Sequence, residues 1–112
     1  MPHDALWELE RGFWLQGVAH FRRFMAPDCV MVLPEVGILA GPAILQGLES
    51  APRWDAIEMT ERQAVEAGSA VVIAYRAEGR RGAAAYRALC SSTYVGPLAH
   101  RRLIQHQQTP LG

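Results

Sequence analysis

From residue 54 onward the chain consists of stretches that favour extended backbone, interrupted by short turn signals. Residues 54–63 carry alternate apolar and polar side chains, Ile57 and Met59 against Glu58 and Thr60. Residues 64–69 either finish that strand or lead into a turn at Gly68-Ser69. Residues 71–78 are β-rich and end at Gly79-Arg80-Arg81-Gly82, a hairpin connection of ordinary length. Residues 86–95 and 101–109 make a last pair joined through Gly96-Pro97. Long strands in succession with joints this short pair antiparallel, because a parallel return needs a crossover of a dozen or more residues. Such a sheet has a face to bury, and the residues before it must cover that face.

The first half reads as that cover. Asp4 is a suitable N-cap, and Leu6, Leu9, Phe13, Gly17, Phe21 and Phe24 recur at helical spacing. Trp7 and Trp14 flank this stripe, with Gly17 marking a bend between helices over 4–16 and 18–25. Ala26-Pro27-Asp28 stops the second helix. Residues 29–33, Cys-Val-Met-Val-Leu, form a strand apolar on both faces, so one face should meet the helices and the other something equally dry. Pro34 closes it, turn residues follow up to Gly37, and Gly41-Pro42 opens a third short helix with Ile44, Leu45 and Leu48 facing in. Helix, helix, strand, helix and four long strands give an α+β class. About three N-terminal helices pack on a strongly curved antiparallel sheet, and the space between the layers is where a ligand fits.

At 112 residues, half of them apolar, the chain suits one domain over 1–112. A domain of this size gains from pairing with a copy of itself, and its zero net charge favours self-association over nucleic acid or an anionic membrane. Every basic residue counted is Arg and there is neither Lys nor Asn, a coding bias that suggests a bacterial source. Cys29 and Cys90 lie in apolar stretches and read as buried reduced thiols. Met1-Pro2-His3-Asp4 has none of the character of a signal peptide, and no apolar run approaches the roughly 20 residues of a membrane span. A cytoplasmic protein is the expectation.

Four segments then carry a resemblance. Leu9-Glu10-Arg11-Gly12-Phe13-Trp14, the run from Asp28 to Pro34, Gly37-Ile38-Leu39-Ala40-Gly41, and above all the closing stretches 86–95 and 103–110 resemble the nuclear-transport-factor-2-like superfamily. Within it they resemble a small, ketosteroid-isomerase-related and polyketide-cyclase-related bacterial branch. The resemblance covers nearly the whole chain and implies a cone-shaped α+β roll. Two positions depart from its pattern: Arg101 stands where an aromatic begins the last strand, and Gln105 where an apolar residue precedes His-Gln-Gln.

The resemblance does not bring its chemistry along. The ketosteroid isomerase base is an Asp at the end of the first strand, just before a Pro; Leu33 holds that place here and moves no proton. The oxyanion-donating Tyr of the first helix has no counterpart, the nearby large residue being Trp14, which donates one N–H and has no acid–base role.

Another site is open. His106 is the candidate catalytic base, with Arg102, Ile104 and Gln108 on its own face by strand alternation, and Ser92, Tyr94 or Cys90 opposite. The competing reading makes His106, Gln107 and Gln108 structural hydrogen-bond formers. Glu10 and Trp14 lie one helical turn apart. Glu10 either faces the pocket mouth or, as preferred here, pairs with Arg102 across the helix–sheet junction. Tyr75 and Tyr86 offer hydroxyls to the cavity or pack at the rim. The predicted pocket comprises Glu10, Trp14, Met31, Leu33, Trp54, Tyr75, Ser92, Arg102 and Gln108.

His3 falls in a fraying terminus, His20 on the polar side of a helix and His100 in a loop. No metal-ligand spacing, phosphate loop or nucleophile elbow is present, so no metal or cofactor is implied. Arg80-Arg81 and Arg101-Arg102 read as solvated pairs. Three functions remain open. The first is a binder of an apolar or aromatic small molecule. The second is an isomerase, dehydratase or cyclase using His106. The third is a non-catalytic homodimerisation module, as the resemblance to the calcium/calmodulin kinase association domain implies.

Overall fold

The helical stripe and the β-rich tail form two facing layers in the computed structural model, which describes residues 3–112. Met1 and Pro2, where the signal-peptide reading began, lie outside the described residues. The helices are α1 (Asp4–Leu15), α2 (Val18–Phe24) and α3 (Pro42–Leu48). The strands are β1 (Met25–Leu33), β2 (Gly37–Ala40), β3 (Ala56–Ala67), β4 (Ala70–Arg81), β5 (Ala84–Val95) and β6 (Arg102–Pro110). A single 3-10 turn, Leu98–His100, precedes β6.

Several boundaries differ from the sequence reading for local reasons. α1 begins at Asp4 itself, behind His3 in the left-handed region (φ 67°), so Asp4 serves as a first-turn acid and not as the cap. α2 ends at Phe24, and Met25-Ala26-Pro27 already belong to β1, where Pro27 is tolerated as an extended residue. Gly37–Ala40, read as part of a turn, is a short strand paired with β1. β4 runs through Gly79-Arg80-Arg81, leaving Gly82-Ala83 as the reversal, with Gly82 at φ 58°.

The sheet has six strands in the order β2-β1-β6-β5-β4-β3. The four long strands pair antiparallel as expected. The join between the halves is parallel: β6 lies beside β1, with Met31 level with His106. This pairing sets the pocket, because it places the last strand between the first strand and β5.

Besides a register shift between Met25 and Val30 where β1 meets β6, two irregularities bend the sheet and redirect its side chains. One lies between Thr60 and Gln63 on β3, where Glu61 takes φ 53°. The other lies between Thr93 and Tyr94 on β5, which face Gln105 and Leu103 and leave Ile104 as the extra residue of β6.

The inner face carries Ile57, Met59, Val71, Ile73, Tyr75, Ala77, Ala88, Cys90, Tyr94 and Leu103, packed on Leu6, Trp7, Phe13, Trp14 and Phe21. Both cysteines are buried free thiols, each pushed up to about 12 chiefly by burial. The second face of β1 is not dry: Cys29 and Met31 point inward, while Val30 and Val32 are 36% and 44% exposed.

Gly12 explains how α1 and α2 pack. A Cβ there would lie 2.2 Å from His20 Cε1. The imidazole occupies that space, edge-on to Phe13 (4.7 Å between centroids), and its Nε2 lies 3.1 Å from the Leu9 carbonyl. His20 is therefore a half-buried packing residue and not a solvated one, and burial lowers its pKa.

Candidate functional site

The helices stand off the sheet at one end, leaving a cavity of about 360 Å³. Phe13 and Trp14 of α1, Phe21 of α2, Met31 and Leu33 of β1, and Ile44 and Leu48 of α3 form most of its apolar wall. Trp54 and Tyr86 add a stacked aromatic pair, their rings 5.5 Å apart and 17° from parallel. His106 and Gln108 bring polar atoms into it from β6, and Arg53 and Arg81 complete the lining. A few convergent polar groups in a mainly apolar concavity are the usual makeup of a small-molecule site.

Behind this wall lies Glu10, 1% exposed. Its partners are hydroxyls. Oε1 accepts from Tyr94 at 2.5 Å, while Oε2 accepts from Ser92 at 2.7 Å and from Tyr75. Trp14 Nε1 in turn donates to the Tyr75 oxygen at 3.0 Å. Burying a carboxylate is tolerable when its lone pairs are filled in this way. Burial first, and then the Glu10 carboxylate, push both tyrosine hydroxyls well above their ordinary pKa, so they remain donors.

His106, 7% exposed, connects this centre to the cavity. Its Nδ1 lies 2.6 Å from Ser92 Oγ and 3.5 Å from Glu10 Oε2. Because Ser92 spends its proton on Glu10, Nδ1 must carry the hydrogen, which leaves Nε2 as an acceptor. Gln108 Nε2 sits 3.1 Å from that Nε2, and the Gln108 carbonyl accepts from Tyr86 at 2.9 Å. The donors therefore run in one direction, Tyr86 to Gln108 to His106 to Ser92 to Glu10. A chain of this kind is mutually polarising. Burial lowers the His106 pKa, with Glu10 opposing, so the ring is held neutral with its basic nitrogen toward the cavity side of the chain.

Of the residues singled out from sequence, Trp14, Met31, Leu33, Trp54, His106 and Gln108 line the cavity. Glu10, Tyr75 and Ser92 lie behind it in the hydrogen-bonded centre. Arg102 does not line this cavity. It is exposed, and its guanidinium donates to the Arg23 carbonyl at 2.8 Å. The physical reason is the bulge at Ile104, which makes Leu103 and His106, three apart, both face inward. The expected Glu10–Arg102 pair is thereby overturned, and the hydroxyls take the arginine's place. The two tyrosines, left open by the sequence, separate: Tyr75 is core and Tyr86 is cavity wall.

Sequence reading missed Arg53 and misplaced Arg81. Arg80 is exposed and paired with Glu78 at 3.3 Å, but Arg81 lies over the Trp54 ring, 4.0 Å from its centroid. Arg101, likewise read as solvated, has a side chain only 14% exposed, 3.5 Å from Glu66. His3, at the head of α1, lies 3.6 Å from Glu66. Pro52-Arg53-Trp54 between helix and strand was the one available signal for Arg53.

No family model and no curated protein sequence matches the chain. Solved structures do. A candidate ketosteroid isomerase from Parabacteroides distasonis superposes with a TM-score of 0.85 at 13% identity, covering 99% of this chain and 89% of that one. A nuclear-transport-factor-2-like protein of unknown function from Pseudomonas aeruginosa gives 0.75 at 22% identity over 96% and 94% of the two chains. The calcium/calmodulin-dependent kinase II hub of S. rosetta gives 0.77 at 11% identity over 99% and 98%. With three helices against an open six-stranded sheet and these superpositions, the chain has the nuclear-transport-factor-2-like fold.

Proposed function

We propose that this protein binds a small apolar or aromatic molecule in the cavity between α1, α3 and the sheet, with His106 as the proton-accepting group at its inner end. The observation that carries the reading is the cavity of about 360 Å³ walled by Phe13, Trp14, Trp54 and Tyr86, into which His106 and Gln108 bring polar atoms. An engineered apolar cavity of ~150 Å³ already holds benzene, so a bicyclic ligand is a reasonable match in size. A ligand hydroxyl or acidic C–H reaching His106 Nε2 would compete with the Gln108 amide for it. A proton taken there would leave an imidazolium whose Nδ1–H points through Ser92 to the Glu10 carboxylate. Isomerase, dehydratase or cyclase chemistry with His106 as base is the catalytic form of this proposal.

2-Naphthol should bind saturably, read by quenching of tryptophan fluorescence. Leu33→Trp, which fills the cavity from β1, should weaken that binding at least about tenfold while leaving the far-ultraviolet circular dichroism unchanged. Undiminished binding by the variant, or none by the wild type, would sink the proposal.

A second reading, homodimerisation, is favoured by the outer sheet face. Val30, Gln105, Thr93, Val72 and Val65 form one row across five strands, and Ile38, Val32, Gln107, Ser91 and Ala74 form the next. Each Val and Ile in these rows is 36% exposed or more. An uncharged patch of this kind, with its Val and Ile side chains exposed, suits a self-complementary contact. Light scattering is expected to give twice the chain mass for the wild type and a monomer for Val32→Glu; a wild-type monomer overturns this reading.

A further inference from the structure

We infer that the cavity's outer end is a subsite for an anionic group, so that the ligand is an aromatic or alicyclic acid held with its carboxylate at Arg53 and Arg81. This inference rests on the small-molecule reading above and names the class of molecule.

Arg53 and Arg81 are the charged side chains lining the cavity, and no carboxylate lines it. Among the described residues neither arginine has an acidic partner. Arg53 Nη2 donates to the Phe13 and Trp14 carbonyls at 2.6 and 3.0 Å, at the C-terminal end of α1. Its Nε is buried without a hydrogen-bond partner. Arg81 donates to the Arg53 carbonyl from Nε at 3.3 Å and to the Pro52 carbonyl from Nη2 at 3.0 Å. Backbone carbonyls orient the two guanidiniums, those at the end of α1 offsetting part of the Arg53 charge, but no carboxylate neutralises either, and the two repel: burial first, then the charge of Arg81, lowers the Arg53 pKa. Asp55, two residues after Arg53, is exposed and accepts from the Gly82 amide at 2.8 Å.

Two like charges held together at the rim of an apolar pocket form a receptor for a planar anion, which guanidinium forks bind in bidentate fashion. Arg81 stacks on Trp54, which stacks on Tyr86, so its guanidinium is held against the aromatic wall. The reverse charge, that of Glu10, is buried behind His106 and is not part of the lining. A carboxylate is therefore drawn to the arginines and away from Glu10, which leaves the ring of an acid for the apolar wall and His106.

Calorimetric titration of 2-naphthoate and its neutral isostere 2-naphthamide tests this directly. On the wild type the acid should bind about tenfold tighter than the amide, and raising the salt concentration should weaken the acid alone. Arg81→Gln should erase the preference for the acid, lowering acid affinity at least about fivefold more than amide affinity. Arg53→Gln also removes a cap from α1, so its stability is checked by urea unfolding before its affinities are compared. Equal affinities on the wild type, or a preference that survives in both variants, overturn the anionic subsite and leave the small-molecule reading standing. Binding of neither compound overturns both.

Discussion

Replacing Glu10 with alanine is expected to lower the free energy of unfolding by about 4 kcal/mol, the scale of leaving several buried hydroxyls without their acceptor. The carboxylate receives hydroxyls from Tyr75, Ser92 and Tyr94 and has His106 Nδ1 3.5 Å away. Without it, three buried O–H groups lose their acceptor at once, and each would carry its own desolvation penalty. For a domain whose whole stability is of the order of 5–15 kcal/mol, such a loss is a large fraction. Tyr94→Phe removes a single donor and leaves Glu10 two others, so its effect should be about 1.5–3 kcal/mol, the usual worth of a hydrogen bond to a charged group. Urea unfolding of both variants checks the ordering. If Glu10→Ala cost no more than Tyr94→Phe, the carboxylate would not be the centre of the network.

Acidification should destabilise the protein through His106, and the sign follows from its surroundings. Burial lowers the folded-state pKa below the ordinary 6.5, and the Glu10 carboxylate only partly opposes this. Below pH 6.5 the unfolded chain therefore takes up a proton that the folded one refuses. Stability contributed by the neutral ring is complete above the unfolded value and is lost as the pH falls toward the folded value. Between pH 7 and 5 the loss from this one group reaches up to about 2 kcal/mol. His20, also lowered by burial, adds to the slope in the same direction. The difference between wild type and His106→Gln isolates the His106 share, since Gln does not titrate. Stability that rose on acidification relative to the variant would mean that Glu10 outweighs burial and that the resting ring is charged.

Sequence patterns carried the layers of this fold well, and the site less evenly. Phe13, Trp14 and Phe21 repeat at helical spacing, and the turn residues between the strands are strong local signals, so both layers could be read without knowing what they touch. Ser92 was one of three candidates for the place opposite His106, but plain counting from the connection puts Ser91 there, and only the extra residue Ile104 brings Ser92 level with His106. Counting failed at Arg102 because one unpaired residue, Ile104, shifts the alternation, and nothing in Leu103-Ile104-Gln105 marks a bulge. Glu10 was expected to need a partner, which is sound electrostatics, but the partner came from residues 65 to 84 positions away, where charge arithmetic sees no candidate. The parallel contact of β1 with β6 was invisible for the same reason: each strand's pattern states that it is buried, not by which neighbour.

That parallel contact also sets an order of events. β6 is the final strand in the chain and an interior strand of the sheet, held between β1 and β5. During synthesis the first hundred or so residues emerge before it, and until it arrives the facing edges of β1 and β5 have no mate. Pairing residues 25–32 with 103–107 closes a loop of most of the chain, the slow kind of step in folding. His106 arrives with that strand, so the basic nitrogen, the cavity wall it contributes and the last hydrogen bond to Ser92 all form in one late event. The wall of the cavity is therefore complete only when the sheet is finished.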